Sequence, residues 1–257
     1  GVPHLLEPGV GETPLWHQTR LSGLYPAETD MQCVLQEIPG HLLQHANARV
    51  EILEDKDWER EWMQHYRPMP FGRRLWVCPS WKPVPDPMAV NLMLDPGLAF
   101  GTGSHPTTAL CLQWIAEQDW QGKTVIDYGC GSGILAIGAM LMGAKRVLGV
   151  DNDTQALTAT KDNAQRNGIA AQAIPVFLPE NTPKEAVDVM LANILAGPLI
   201  DMAAHLAELT KARGLITLSG ILEQQADAVV KAYSPWFDMH TVTAKDEWVR
   251  IDGQKRS

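Results

Sequence analysis

The chain has 257 residues, 45% of them hydrophobic, so it can build one large core or two smaller ones. Its formal net charge of −9 at pH 7 leaves no basic field for nucleic acid, and suits a small-molecule substrate or a basic protein partner. Four cysteines without a Cys-x-x-Cys pair favour reduced thiols, and no apolar run reaches membrane-spanning length. Composition therefore predicts a soluble, cytoplasmic protein that binds neither membranes nor nucleic acid.

Residues 1–54 are predicted to form a small unit of mixed helix and strand. Alternation indicates strands over 15–25 and 48–53, and a helix over 28–38 is ended by the Pro-Gly pair that follows it. The chain begins at Gly1 in proline-rich sequence, without an initiator methionine. This start indicates a fragment of a longer protein.

A charged helix is predicted over residues 55–67, where Trp58, Trp62 and Tyr66 recur every four positions and share one face. We interpret this helix as a linker between two bodies. Strands are predicted over 74–81 and 89–94, on either side of a proline-rich turn.

The loop over residues 95–108 is dense in glycine and proline, and it lacks the lysine that a Walker loop requires. Thr107 or Thr108 is predicted to cap the apolar helix over 109–115. Such a loop is a candidate lid over a substrate or cofactor. His105 is interpreted as a loop residue and not as a general base.

A glycine-rich run, Asp127-Tyr-Gly-Cys-Gly-Ser-Gly133, lies between a β-branched strand at 123–126 and an apolar helix from Ile134 to about Met142. Glycines let the backbone approach a ligand, and the helix N-terminus offers free N–H groups, so this pattern indicates an adenosine-containing cofactor. A dinucleotide fingerprint needs a glycine where Ile134 stands. The spacing therefore argues against a nicotinamide enzyme.

Two polar residues follow later strands. Asp151 ends the strand from Arg146, where a carboxylate can accept hydrogen bonds from a ribose diol, or alternatively cap the next helix. Asn193 ends a strand over 186–192 and is expected to face the same crevice. Its amide has a donor and an acceptor, which suits an amine or the cofactor's amino-acid portion; the alternative is a turn asparagine bonded to its own backbone.

The remaining elements continue the alternation of strand and helix. Strands are predicted near 172–178 and over 215–219, helices over 154–168, 198–212 and 222–233, and a closing hairpin over 237–243 and 248–251. Alternating β and α units predict a doubly wound α/β sheet that is mostly parallel, to which the hairpin adds an antiparallel strand.

The glycine motif, Asp151 and the Asn193 turn together resemble the seven-stranded, Rossmann-like methyltransferases that use S-adenosylmethionine. Residues 54–62, the loop over 95–108 and Ala192-Asn-Ile-Leu-Ala-Gly-Pro198 more specifically resemble the bacterial methyltransferases of ribosomal protein L11. The likeness covers nearly the whole chain. It implies a ferredoxin-like substrate-recognition domain at 1–54, which lacks the family's first strand and helix, a linker helix at 55–67 and a methyltransferase domain at 68–257.

The resemblance also implies an activity. Methyl groups would pass from S-adenosylmethionine to lysine side chains, and to the N-terminal amine, of a large-subunit ribosomal protein, with no metal and with the enzyme a monomer. The alternatives are an enzyme of the same fold that acts on another protein or a small molecule, and a non-enzymatic scaffold. Asn193 is the candidate catalytic residue and Phe100 a candidate pocket wall. The expected cofactor-binding residues are Thr108, Gly129, Gly131, Asp151 and Asn193.

Overall fold

A computed structural model describes residues 22–40, 48–52, 66–95, 101, 103–170 and 172–257. The chain divides into two compact units, Gly1–Glu61 and Trp62–Ser257. None of the helices in the described ranges is long and apolar enough to cross a lipid bilayer.

The first unit contains helix α1 (Met31–Glu37), which confirms the helix predicted over 28–38. Its cap is Asp30, whose carboxylate accepts a hydrogen bond from the Gln32 backbone N–H at 2.9 Å. The strand predictions are wrong where they can be compared, because residues 22–25 and 48–52 form no strand. The other residues of those two segments, and nearly all of the predicted linker helix, lie outside the described residues.

The second unit begins with a three-stranded sheet in the order β1-β2-β3. Strand β2 (Leu75–Cys78) pairs antiparallel with β1 (Met69–Phe71) and parallel with β3 (Val90–Met93). Strands β2 and β3 confirm two predicted strands in shortened form. Strand β1 was not predicted, since it is too short to show a repeating pattern; the Phe71 side chain anchors it in the core.

A seven-stranded sheet forms the centre of this unit, in the order β6-β5-β4-β7-β8-β10-β9. Its first five members run parallel, and β10 runs antiparallel to both of its neighbours. This arrangement confirms the predicted sheet with its antiparallel closing hairpin. The strands are β4 (Thr124–Tyr128), β5 (Arg146–Val150), β6 (Val176–Phe177), β7 (Val187–Asn193), β8 (Thr210–Leu222), β9 (Phe237–Lys245) and β10 (Trp248–Lys255).

Helices cover both faces of this sheet. Successive strand residues point to opposite faces, so Val125 lies in one apolar cluster and Ile126 in the other, and both are fully buried. The first cluster packs under α2 and α3, the second under α5, α6 and α7. The helices are α2 (Pro106–Glu117), α3 (Ile134–Leu141), α4 (Thr154–Arg166), α5 (Ala196–Asp201), α6 (Ala203–Glu208) and α7 (Ala226–Tyr233).

The helix predicted over 198–212 is wrong at its C-terminal end. Two short helices, α5 and α6, stop at Glu208, and β8 has begun by Thr210. Thr210 pairs with Val187 on β7, and Arg213 has a φ of 61°, which no α-helix allows. Pairing with β7 on either side of residues 211–213, at Thr210 and at Leu215, thus overrides their helix propensity.

The strand predicted near 172–178 is reduced to the two residues of β6 at the edge of the sheet. Pro175 precedes it and has no N–H to donate to a ladder, although its carbonyl still accepts from the Gly149 N–H at 3.0 Å. We attribute the short length of β6 to this proline, which leaves only Val176 and Phe177 paired with β5.

Candidate functional site

Three predicted site residues lie together at the carboxyl ends of the parallel strands of the large sheet. Tyr128, at the end of β4, pairs with Val150 on β5 and with Ala192 on β7. The order of the strands reverses on either side of β4, which is where open α/β sheets bind ligands. The residues that directly follow this row of three are Gly129, Asp151 and Asn193.

The glycine loop turns tightly over the end of β5. The backbone N–H groups of Gly129 and Cys130 both donate to the Val150 carbonyl, at 2.7 and 3.0 Å. Gly129 has a φ of 78°, and a Cβ added there would overlap the Ile194 side chain. Only a glycine allows the loop to pass this close to the residue after Asn193.

Asp151 lies half-buried beneath this loop. Its Oδ2 accepts from the Gly131 N–H at 2.9 Å, and its Oδ1 accepts from the Asp153 N–H at 3.0 Å. Asp153, and not Asp151, caps α4, because its Oδ1 accepts from the Gln155 N–H at 2.8 Å. The capping alternative for Asp151 is therefore wrong. A carboxylate has about four acceptor positions, so Asp151 retains capacity for further donors.

Asn193 reaches across to helix α2. Its Nδ2 donates to the Thr108 hydroxyl at 3.3 Å, so the side chain is not bonded to its own turn. Its Oδ1 is buried and has no hydrogen-bond partner among the residues that the structure describes. An unsatisfied buried acceptor is unfavourable by about 1–3 kcal/mol, which makes this oxygen a candidate to receive a ligand's N–H.

Asp127, the first residue of the glycine motif, is fully buried. Its Oδ2 accepts from the Ala136 N–H at 2.9 Å, while its Oδ1 has no partner within the described ranges. Burial raises the pKa of this carboxyl to about 7, and the nearby Asp151 carboxylate adds to the rise. No role was predicted for Asp127 from the sequence, although an acidic residue near the end of an apolar strand is a detectable signal.

Helix α4 holds the glycine loop from the side. The Thr160 hydroxyl donates to the Gly131 carbonyl at 3.0 Å, and the Asn163 Nδ2 donates to the Ser132 carbonyl at 2.9 Å. The Ser132 hydroxyl in turn donates to the Gly101 carbonyl at 2.7 Å. These supports were not predicted from the sequence, because about 30 residues separate each donor from its acceptor.

The predicted cap of α2 is wrong. Pro106 occupies the first turn, where proline is favoured, so the helix begins before Thr107 and Thr108. His105 is the cap: its Nδ1 accepts from the Thr107 N–H at 3.4 Å and lies 2.8 Å from the Thr107 hydroxyl. Burial lowers the pKa of His105, which favours the neutral imidazole that can accept this bond. Phe100 lies outside the described residues.

Comparison with known proteins gives a consistent result. The family model described as ribosomal protein L11 methyltransferase (PrmA) matches residues 2–256. The ribosomal protein L11 methyltransferase of Tolumonas auensis is 54% identical over 251 residues, which cover 97% of this chain and 86% of the relative. That of Teredinibacter turnerae is 53% identical over 254 residues, which cover 98% of this chain and 85% of the relative.

A solved structure agrees with these sequence matches. The crystal structure of the ribosomal protein L11 methylase from Lactobacillus delbrueckii subsp. bulgaricus matches with a TM-score of 0.67 and 31% identity, over 75% of this chain and 100% of that one. The resemblance predicted from the motifs is thereby confirmed, together with S-adenosylmethionine as the cofactor. The chain belongs to the ribosomal protein L11 methyltransferase family of S-adenosylmethionine-dependent enzymes.

Proposed function

We propose that this chain transfers methyl groups from S-adenosylmethionine to amino groups of ribosomal protein L11, namely lysine side chains and the N-terminal amine. The observation that carries the proposal is the buried Oδ1 of Asn193 at the end of β7, which has no hydrogen-bond partner in the described part of the chain. It is an acceptor for an N–H group, beside the glycine loop and Asp151. The names of the relatives supply the protein substrate.

The residues at this edge fit S-adenosylmethionine. Asp151 has unused acceptor positions for the two ribose hydroxyls, and the loop from Gly129 to Gly131 has no side chain at either glycine to obstruct an approaching ligand. Thr108 and Asn193 form a linked polar pair on the other side of β4. We therefore assign cofactor binding to Thr108, Gly129, Gly131, Asp151 and Asn193.

Bound S-adenosylmethionine supplies a methyl group on a positively charged sulfur, which a neutral amine can attack. A free lysine has a pKa of about 10.4 and is protonated at pH 7, so its lone pair is not available. A partly desolvated pocket lowers the pKa of an amine. We assign to Asn193 Oδ1 the acceptance of a hydrogen bond from the neutral amine, which orients its lone pair for attack.

We further propose the division of labour that the resemblance implied. Residues 1–54 would recognise the ribosomal protein, and residues 68–257 would carry out catalysis. Residues 55–67 would form the helix that links these two domains. The boundary between the compact units, at Glu61 and Trp62, lies within the proposed linker and supports this division. The enzyme would act as a cytoplasmic monomer, without nucleic-acid contact because its net charge is −9.

The test is to incubate ribosomal protein L11 with the enzyme and isotopically labelled S-adenosylmethionine, and to locate the label by mass spectrometry. We expect labelled methyl groups on lysine side chains and on the N-terminal amine. Asn193→Ala should lower turnover more than it lowers affinity for S-adenosylhomocysteine. The matched control is Asn181→Ala, at an exposed asparagine, which should leave both unchanged.

Each other outcome has a distinct meaning. S-adenosylhomocysteine binding without any label on L11 would favour an enzyme of the same fold with another substrate. No binding of S-adenosylhomocysteine would favour a scaffold. Equal losses of affinity and turnover in Asn193→Ala would mean that this residue mainly holds the cofactor, and wild-type values would remove it from the site.

A further inference from the structure

The position of the Asn193 amide depends on helix α2. Asn193 Nδ2 donates to the Thr108 hydroxyl, and Thr108 is fully buried in the first turn of α2. This bond fixes which way the amide faces, and so where its free Oδ1 lies. A shift or rotation of the first turn would therefore move an acceptor at the proposed methyl-transfer site.

Strand β10 contacts the beginning of α2 at two points. The Trp248 ring meets the His105 ring edge-on, with centroids 5.1 Å apart. Two residues along the strand, Arg250 Nη1 donates to the Leu110 carbonyl at 2.8 Å. Leu110 lies two residues after Thr108, so both contacts act on the part of the helix that carries the Thr108 hydroxyl.

Arg250 is itself held rigidly. It is 7% exposed, and its Nε and Nη2 donate to the Asp252 carboxylate at 2.8–3.1 Å. Asp252 also accepts from the Thr217 hydroxyl on β8 at 3.0 Å, and Arg250 Nη2 donates to the Thr243 hydroxyl on β9 at 3.3 Å. One guanidinium thus ties three neighbouring strands to the α2 backbone.

A buried ion pair of this kind is weak evidence for stability, because removing both charges from water offsets much of their attraction. What the pair does supply is direction: a planar guanidinium with fixed N–H vectors aims one donor at one carbonyl. We propose that Arg250 is a positioning residue, which holds α2 through the Leu110 carbonyl so that Thr108 orients Asn193. This inference rests on the proposed function only in that Asn193 lies in the cofactor site.

The test is a double-mutant cycle read out as affinity for S-adenosylhomocysteine, measured by calorimetry. The four proteins are the wild type, Arg250→Met, Thr108→Val and the double variant. Arg250→Met should weaken binding about five- to tenfold in the wild-type background. If Arg250 acts through the Thr108 hydroxyl, the same change should alter affinity less than about twofold in the Thr108→Val background.

Two further variants separate positioning from folding. Arg250→Met leaves Asp252 buried without its partner, so the paired variant Arg250→Met/Asp252→Leu removes both charges and should stay folded, with binding still weakened. The matched control is Arg256→Met, in the same hairpin. Arg256 is about half exposed and pairs with Asp238 at 2.7 Å, and its loss should leave affinity unchanged.

The proposal is overturned if Arg250→Met weakens binding equally in both backgrounds, or if a folded paired variant binds like the wild type. A structural role alone would lower the unfolding temperature without this dependence on Thr108. The measurement needs no protein substrate, so it can be read even if the wild-type chain fails to methylate L11. The two failures are therefore distinguishable.

Discussion

At the scale of single residues, two carboxylates at neighbouring strand ends differ in environment. Asp151 is half-buried and accepts two backbone N–H groups. Asp127 is fully buried and accepts one backbone N–H, and no described residue donates to its second oxygen. Asp151 therefore keeps acceptor positions for further donors, whereas burial raises the pKa of Asp127 to about 7.

The role of Asp151 can be tested by truncation. Asp151→Ala removes the proposed acceptor for both ribose hydroxyls, and hydrogen bonds to a charged group contribute about 1.5–3 kcal/mol each. We expect affinity for S-adenosylhomocysteine to fall at least about tenfold, with an unchanged circular dichroism spectrum. Asp153→Asn is the control, since asparagine retains the cap of α4. An unaltered dissociation constant in Asp151→Ala would remove this residue from the site.

Asp127 should make stability depend on pH. Its pKa is about 7 in the folded protein, against 3.8 for a carboxyl that is not buried, as in the unfolded chain. Between these two pH values the folded state keeps a proton that the unfolded state loses. Stability then falls as pH rises through this window, by up to about 1.4 kcal/mol per pH unit. Asp127→Asn removes the titration. In urea unfolding, the free energy of unfolding of the variant should rise relative to that of the wild type between pH 4 and pH 7. A constant difference between the two proteins over this range would contradict the raised pKa.

At the scale of elements, the site depends on how closely the glycine loop approaches the turn after β7. A methyl group at Gly129 would overlap Ile194, which directly follows Asn193. The loop and the turn come from strands that are adjacent in the sheet but about 60 residues apart in sequence. We expect this close contact to set the width of the proposed cofactor crevice.

This contact predicts that Gly129→Ala disrupts the site beyond its backbone strain. Gly168 provides the control, because it also has a positive φ, 71° against 78°, but a Cβ there would meet open space. Both substitutions should lower the free energy of unfolding by about 1–2 kcal/mol, because alanine is strained at a positive φ. Only Gly129→Ala should also weaken S-adenosylhomocysteine binding, by more than about tenfold. Equal affinities of the two variants in calorimetry would show that the Ile194 contact does not shape the crevice.

At the scale of the whole molecule, the proposed site lies entirely within the unit Trp62–Ser257. Its residues come from α2, the glycine loop, and the ends of β5 and β7, all on one sheet edge. Ligand binding should therefore stabilise this unit directly.

Ligand stabilisation gives a prediction for the entire chain. S-adenosylhomocysteine at a hundred times its dissociation constant should raise the free energy of unfolding by about 2.7 kcal/mol. This increase corresponds to a rise of about 5–10 °C in the Tm of a domain of this size. Hydrogen exchange should show new protection at residues 129–133 and 151–153, and none at 22–40. Protection of residues 22–40 would contradict a site confined to the second unit. As a control, Asp151→Ala at the same ligand concentration should lose most of the rise in Tm.

The sequence by itself determined the family, the alternating order of strand and helix, and four residues that the structure brings together at the carboxyl ends of neighbouring strands: Gly129, Gly131, Asp151 and Asn193. It could do so because these signals are local. A β-branched strand followed by glycines, or by one polar residue, is readable within a few positions, and parallel strands bring their carboxyl ends to one edge.

Tertiary structure alone decided what long-range packing controls. The raised pKa of Asp127 comes from burial by surrounding elements, and β8 begins at Thr210 because β7 pairs with it. The Asn193 bond to Thr108 spans 85 residues, and the Arg250 bond to the Leu110 carbonyl spans 140. No pattern within a short window contains both partners of such a bond, so only the packed sheet and helices reveal it.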